Sequence, residues 1–458
     1  MKKSITNIIV YVLKMLMYLS LLFTFVIVFG MDNQAILKPS RTMATTFLTF
    51  AIVGLLMVAV YGRYDVGRRK SKPIIYSLVL ATILTDAITY LQLMIMNTIT
   101  PDVAAFRLTH LWELILVFVI QIVLIVVFVY LGNGIYFRLI PPEKCCIITS
   151  KETDLEKLSR GVKKYKKQYQ VMRVVDYRRT DIEEIIEKMD TVILYNVPMN
   201  ERTEIINYCY EHLINIYLNP EITDIVENLA EHYLLDDVSM LNFNVEGLTL
   251  EQRFFKRAFD IVVSLVAIIL SSPFWLISAI AIKLGDGGPV FFKQKRATRD
   301  GRVFHVYKFR TMKVNVENRS ATADDDRITK VGKILRKTRL DEIPQFLNIF
   351  LGDMSFVGPR PEMLENVYAY TADLPEFKYR LRVKAGLTGY AQIAGKYNTS
   401  PKDKLILDMM YIEKYSFWND IKLCFQTLIV LLKSDSTEGF QATDDVFVVE
   451  ETPEKYKK

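Results

Sequence analysis

Two adjacent carboxylates, Asp341 and Glu342, stand in the run Leu340-Asp341-Glu342-Ile343-Pro344-Gln345. Pro344 suits the first turn of a helix and Gly352 its end, so a helix is expected over about 342–351 with Asp341 near the N-cap. An acid there is commonplace by itself, because free N–H groups and the helix dipole favour anions. The neighbouring cations change the reading. Arg336 and Arg339 lie one helix turn before the pair, and Arg360 sits in a proline-stiffened loop, Gly358-Pro359-Arg360-Pro361. A carboxylate that attacks phosphorus must approach an anionic diphosphate. Lys and Arg then neutralise the charge, often beside a divalent metal that bridges phosphate oxygens. Lys308-Phe309-Arg310-Thr311-Met312 follows a strand-like stretch, 303–307, and Asp326-Arg327-Ile328-Thr329 leads into a helix expected over 331–337.

The elements that position this block begin in a membrane. The 458 residues are 51% hydrophobic, and the mean hydropathy of +0.18 is high for a soluble protein. Runs at roughly 8–29, 45–61, 76–97 and 109–131 are long enough to cross a bilayer. Met1-Lys2-Lys3 before an apolar run resembles a signal peptide, but no small-residue cleavage site follows, so the segment is expected to stay attached. Basic residues concentrate before the first span and in the second loop (Arg63, Arg68, Arg69, Lys70, Lys72), which puts both ends of the bundle in the cytoplasm. Asp86 and Glu113 fall within the third and fourth spans without basic partners, and bundle-interior packing is preferred for them over transport. The net charge of +7 clusters beside apolar runs with no nucleic-acid motif, so anionic headgroups and phosphorylated substrates are expected rather than nucleic acid. The 4 cysteines make neither a disulfide framework nor a metal-ligand spacing.

Between 140 and 242 strands and helices alternate with short loops, the pattern of a small parallel, Rossmann-like sheet. Its first turn, Ser150-Lys151-Glu152-Thr153, lacks the glycine that a dinucleotide pyrophosphate needs, so a scaffold or regulatory role is preferred. A fifth apolar run, 258–282, is flanked by basic clusters on both sides and contains Ser272-Pro273 at its middle. Proline removes a helical hydrogen bond, and a true crossing would strand one basic cluster outside. A helix that enters the cytoplasmic leaflet, breaks at Pro273 and returns meets both conditions.

Lys256-Arg257-Ala258-Phe259-Asp260, Ser272-Pro273, Gly288 to Gln294, Tyr307 to Met312, Leu340 to Gln345, Gly352 to Pro361 and Gly386 to Gln392 follow one another in order. Through these motifs residues 251–440 resemble the bacterial sugar transferase family, the monotopic polyprenyl-phosphate phosphoglycosyl transferases. The spans and α/β unit upstream resemble the larger exopolysaccharide-priming members. Tyr390 and Ala394-Gly395-Lys396 stand where the family often has Trp and Asn-Gly-Arg, a departure that bears on sugar or base contacts.

The resemblance implies transfer of a sugar 1-phosphate from a UDP-sugar to undecaprenyl phosphate, with UMP released. Asp341 is then the nucleophile, through a covalent phosphosugar, and Glu342 its partner in metal placement or proton removal. Lys308, Arg336 and Arg360 correspond to phosphate-site positions, and Arg310, Arg339, Pro359 and Gln392 are weaker substrate or nucleotide candidates. Mg²⁺ or Mn²⁺, held by Asp341 and Glu342, is the expected cofactor. Membrane lipids and a possible homo-oligomer are further expected partners, and the bacterial inner membrane is the expected location.

The expected architecture is a four-helix transmembrane bundle (1–135), the Rossmann-like domain (140–242), a mainly α catalytic domain of α+β type (250–445) with a re-entrant helix over 256–283, and a loose tail (446–458). His305 stands alone and is read as structural. The run Asp324-Asp325-Asp326 could ligate Mg²⁺, Asp326 foremost, but such runs are usually solvated. Two rival functions are a glycosyltransferase that releases UDP and a nucleotide-binding regulator without turnover. Intact Asp341, Glu342 and Arg360 argue against the second, and the identity of the released nucleotide separates the first.

Overall fold

A computed structural model of the chain describes residues 2–97, 108–243, 247–314, 325–395, 399–431 and 446–456. Asp324 and Lys396, named above, lie outside the described residues. The chain divides into two compact units, 1–219 with 442–458, and 220–441.

In the first unit four long helices, Lys2–Asp32, Arg41–Tyr61, Ser71–Asn97 and Leu111–Leu139, follow the four apolar runs. Their inner faces pack Met17, Phe25, Phe29, Phe50, Tyr90 and Ile125, while Leu55 and Val123 point outward. Such outward apolar surface is what lipid requires. Asp86 is buried inside the bundle and accepts from Gln121 Nε2 at 3.3 Å. Glu113, expected without a basic partner inside a span, instead opens its helix and meets His110 Nδ1 at 2.7 Å.

Four parallel strands follow: β1 (Glu143–Thr149), β2 (Tyr169–Asp176), β3 (Thr191–Tyr195) and β4 (Asn215–Leu218), in the order β2-β1-β3-β4. Cys146, Ile148, Val192 and Leu194 face Ile182, Ile186 and Ile205 on one side, and Ile147 and Ile193 face Leu155 on the other. In the glycine-free turn, Lys151 N–H donates to Asp176 Oδ2 at 3.0 Å, so this amide points at a carboxylate rather than outward to a phosphate. Residues 446–456, expected to be loose, dock on this unit. Phe447 and Val449 cover the second apolar face, Glu450 N–H donates to the Val174 carbonyl at 2.8 Å, and the Glu450 carboxylate pairs with Arg173. The short apolar run Val446-Phe447-Val448-Val449 supplies what the polar flanks conceal.

The second unit begins earlier than the sequence suggested. The helix Ile222–Leu229 buries Ile225 against Leu405 and Met409, and Glu221 pairs with Lys402 at 2.6 Å, so this segment leaves the α/β domain. An antiparallel hairpin, Glu231–Leu235 with Val238–Asn242, has all its residues exposed.

The long helix Leu250–Asp286 is set by a capping box in which Thr249 and Gln252 exchange hydrogen bonds, and it stops at Gly287 with φ 70°. The expected break at Pro273 does not occur: the helix runs through it. Pro273 has no N–H for the Ile269 carbonyl, and Ser272 Oγ donates to that carbonyl at 2.8 Å. The hydroxyl replaces the lost bond, which is why the Ser-Pro pair bends the backbone's accounting without ending the helix.

The foot of this helix is bolted to the rest of the unit. Lys256 Nζ, buried, reaches Asp420 Oδ2 at 2.5 Å, the Val357 carbonyl at 2.9 Å and Tyr411 Oη at 3.0 Å. Asp260 accepts from Ser355 Oγ at 3.0 Å and Phe356 N–H at 2.9 Å. Arg257 donates to the Ile349 and Phe350 carbonyls, both at 2.7 Å, at the end of the helix Gln345–Leu351. An ammonium with three partners is fully satisfied, and removing one member strands the other charge. Lys256→Met is therefore expected to destabilise the second unit by roughly 3–5 kcal/mol, read as a lowered Tm in detergent. An unchanged Tm would refute this.

Candidate active site

An antiparallel ribbon, Phe291–Ala297 with Val303–Phe309, carries Lys308 at its end. The chain then passes Thr311 and enters the helix Lys330–Thr338, whose N-cap is Thr329. Helix and ribbon approach closely at Gly332: a Cβ there would lie 2.0 Å from the Thr311 carbonyl oxygen. Arg336 Nε donates to Thr311 Oγ1 at 2.9 Å, which aims this guanidinium along the same edge.

Arg339 closes the helix in the left-handed region, φ 57°, uncommon for a side chain with a Cβ. Such outliers cost of order 1–3 kcal/mol and cluster at functional sites. Here the turn throws the chain straight into a 3₁₀ turn, Leu340–Glu342. The carboxylate pair therefore occupies that turn, and the following helix begins only at Gln345 with Pro344 before it. This corrects the expected N-cap placement of Asp341: the left-handed Arg339 starts a separate turn first.

Glu342 Oε1 receives two cations, Lys308 Nζ at 2.8 Å and Arg360 Nη2 at 3.0 Å. Burial alone would raise this carboxyl, but Lys308 and Arg360 outweigh it and hold Glu342 well below the usual carboxylate range. Asp341 differs. Burial raises it to about 6, against the pull of Lys308, with Glu342 adding to the rise and Arg336 and Arg360 opposing it. Among the described residues no hydrogen bond or ion pair reaches Asp341. Adjacent carboxylates thus have unlike states: one neutralised by cations, the other uncommitted.

Arg360 is itself fixed from behind. Its carbonyl accepts from Arg380 Nη2 at 2.8 Å, and Arg380, buried, pairs with Asp408 at 2.7 Å. Arg296 donates to the Pro361 carbonyl at 3.1 Å, and burial, with Arg360 nearby, lowers its pKa to about 10. Gly358 and Gly386 touch backbone to backbone: a Cβ on Gly386 would lie 2.1 Å from the Gly358 nitrogen. Asn348, fully buried, accepts from Tyr307 N–H at 2.9 Å and donates to the His305 carbonyl at 2.7 Å. It thereby ties the helix after Glu342 to the strand that carries Lys308.

The structure brings Asp341, Glu342, Lys308, Arg336 and Arg360 into one electrostatic group. Arg339 acts on Glu342 from the turn. Arg310 points elsewhere: its guanidinium pairs with Asp286 and donates to the Pro289 and Met312 carbonyls. Pro359 and Gln392 serve the backbone, Pro359 by accepting from Gly386 N–H at 2.8 Å and Gln392 by reaching the Gly358 and Gly386 carbonyls at 3.4 Å. Asp325, expected in a solvated acidic run, is buried against Arg327, while Asp326 is exposed. His305 is exposed on its strand. Asn348 and Arg380 were not singled out from the sequence, because a polar residue that serves a backbone partner has no spacing signature; Thr311 stood in the quoted run Lys308 to Met312 without a role, and its role is to orient Arg336.

The carboxylates also fit a divalent cation. Mg²⁺ is commonly held by one or two carboxylates plus substrate phosphates, and Asp341 and the second oxygen of Glu342 are uncommitted among the described residues.

A family model described as bacterial sugar transferase matches residues 251–434. The chain is 41% identical over 185 residues to a UDP-N-acetylgalactosamine-undecaprenyl-phosphate N-acetylgalactosaminephosphotransferase of Aeromonas hydrophila, covering 39% of this chain and 44% of that one. A UDP-glucose:undecaprenyl-phosphate glucose-1-phosphate transferase of Escherichia coli (strain K12) is 42% identical over 184 residues, 38% of this chain and 40% of its own. A protein of the same description from Caulobacter vibrioides is 38% identical over 189 residues, 40% of this chain and 71% of its own. The chain belongs to the bacterial sugar transferase family. The match spans less than half the length of the first two relatives. Five helices long and apolar enough to cross a membrane make it a membrane protein.

Replacing Asn348 by Ala leaves the Tyr307 N–H and His305 carbonyl unpaired, so a stability loss of roughly 1–3 kcal/mol is expected. Thermal unfolding in detergent checks it, and an unaltered Tm would show that the tie carries no load.

Proposed function

We propose that the chain transfers a sugar 1-phosphate from a UDP-sugar to polyprenyl phosphate, in two steps through Asp341. The observation that carries this reading is the unlike pair: Glu342 is neutralised by Lys308 and Arg360, while Asp341 has no partner of its own among the described residues. An unpaired, half-buried carboxylate among cations suits attack on phosphorus.

In the first step an Asp341 oxygen bonds to the β-phosphorus of the UDP-sugar, and the bond from that phosphorus to the bridging oxygen breaks. UMP leaves with the electron pair, and the sugar phosphate remains as an acyl phosphate on Asp341. In the second step a polyprenyl-phosphate oxygen attacks the same phosphorus and expels the Asp341 carboxylate, giving a polyprenyl diphosphate sugar. Lys308, Arg336 and Arg360 balance the diphosphate charge in both steps. A divalent cation held by Asp341 and Glu342 would add charge neutralisation at the phosphate oxygens. Relatives named as undecaprenyl-phosphate sugar phosphotransferases support the substrate classes. The transfer would prime a surface polysaccharide or other glycoconjugate.

The long helix is read as re-entrant, entering and leaving the cytoplasmic leaflet. Basic clusters at both ends, Arg253 and Lys256 before and Lys283 and Lys293 after, support this; because the helix is continuous through Pro273, the return would be made by a bend at that residue rather than by a break. Straight, 37 residues would extend about 55 Å, well beyond a hydrocarbon core of roughly 30 Å. Bending within one leaflet removes that excess. The active site then faces the cytoplasm, where UDP-sugars are made.

The experiment is nucleotide release from purified protein with undecaprenyl phosphate, Mg²⁺ and a panel of UDP-sugars. UMP is expected with at least one sugar, and UDP would favour the glycosyltransferase alternative. Asp341→Asn should lower turnover at least 10³-fold without lowering Tm, by analogy with the roughly 10²–10⁴-fold scale of single catalytic groups. Excess EDTA should abolish turnover and added Mg²⁺ or Mn²⁺ restore it; full activity in EDTA would remove the metal from the account.

A further inference from the structure

A second concave site stands apart from the carboxylate pair. It encloses about 200 Å³, and Arg253, Arg257, Asp260, Arg299, Arg382 and Lys384 contribute to its wall. Asp260 is the acid in this lining, and it is engaged by Ser355 and Phe356. The buried Lys256 ammonium is taken up by Asp420, and Arg382 is paired with Glu413 at 3.1 Å. The other cations have less compensation. Arg257 donates to neutral carbonyls, and among the described residues Arg299 pairs only with the exposed Asp300 beside it. Lys384 makes no hydrogen bond or ion pair among the described residues. Burial, with Arg257 and Arg299 close by, lowers its pKa. A pocket that gathers this much positive charge lowers its energy by admitting an anion.

Its position on the long helix indicates which anion. Arg253, Arg257 and Asp260 belong to the first three turns, and Leu250, Phe254 and Phe255 on those turns are 81%, 70% and 60% exposed. Val262, Leu265 and Val266 continue the exposed apolar surface upward. Aromatic residues next to cations, followed by an apolar stretch, mark the level where a helix passes from water into hydrocarbon. The pocket therefore lies at headgroup depth, with apolar surface beside it for acyl chains.

We propose that this pocket binds the phosphodiester headgroup of an anionic membrane lipid and so holds the helix foot at a fixed depth. It is separate from the phosphate-bearing substrates assigned to Asp341, and its validity does not depend on that assignment. Free phosphate shares the chemistry but gains nothing from the apolar rim.

The test uses the full chain in nonionic detergent, titrated calorimetrically with dihexanoyl phosphatidylglycerol, dihexanoyl phosphatidylcholine and inorganic phosphate. Phosphatidylglycerol should bind at least tenfold more tightly than either of the others. The double variant Arg299→Gln/Lys384→Gln should bind it at least tenfold more weakly, while Lys166→Gln/Lys167→Gln on the first unit should bind as the parent does. If the double variant is unstable, Lys384→Gln alone breaks no bond and should still weaken binding at least threefold. Equal binding of phosphatidylglycerol by parent and Lys384 variants would overturn the site. Inorganic phosphate binding as tightly as phosphatidylglycerol would overturn the lipid.

Discussion

One carboxylate shared by two cations organises the site. Glu342 is held by Lys308 from the ribbon and by Arg360 from the proline loop, segments brought to it from opposite directions along the chain. Two positive charges on one acid leave a net positive environment beside Asp341, which suits the anionic diphosphate of the proposed substrate. If the clamp were absent, Glu342 and Asp341 would repel each other as neighbouring anions, and one would retain a proton. With it, burial lifts Asp341 to about 6, and Lys308, Arg336 and Arg360 oppose the rise.

The clamp holds only if its segments are fixed, and the membrane helix does much of that work. Lys256 and Asp260 grip the strand Ser355–Val357 that leads to Arg360, and Arg257 grips the helix that follows Glu342. Asn348 then links that helix to the ribbon of Lys308. Charged residues at the base of an apolar helix thus have two tasks. They would set its depth in the proposed interfacial placement, and they tie its base to the segments that carry the site.

Much of this was legible in the sequence, for identifiable reasons. The four spans were readable because lipid demands long apolar runs, and the parallel sheet because its strands are short apolar segments between helices. Asp341, Glu342 and Arg360 stood out because acids among many cations are chemically unusual. Three features were not legible. The helix passes through Pro273 because Ser272 serves the freed carbonyl, a rotamer choice that no hydropathy pattern records. Arg310 is a structural ion-pair member with Asp286: it lies just past the strand Val303–Phe309, where the alternation that sets Lys308's direction no longer applies, and its partner is remote in sequence. The tail 446–456 docks on the α/β unit through a few apolar residues separated from it by more than two hundred positions.

The central claim is that Asp341, and not its clamped neighbour, forms the bond to phosphorus. Mass mapping of the protein after brief incubation with its UDP-sugar, without lipid acceptor and with an acid quench, tests it most directly. A sugar-phosphate mass added to the peptide containing Asp341, localised to that residue and absent from Asp341→Asn, is the result expected. An adduct on Glu342, or no adduct while UMP is still released on adding lipid phosphate, would contradict the account.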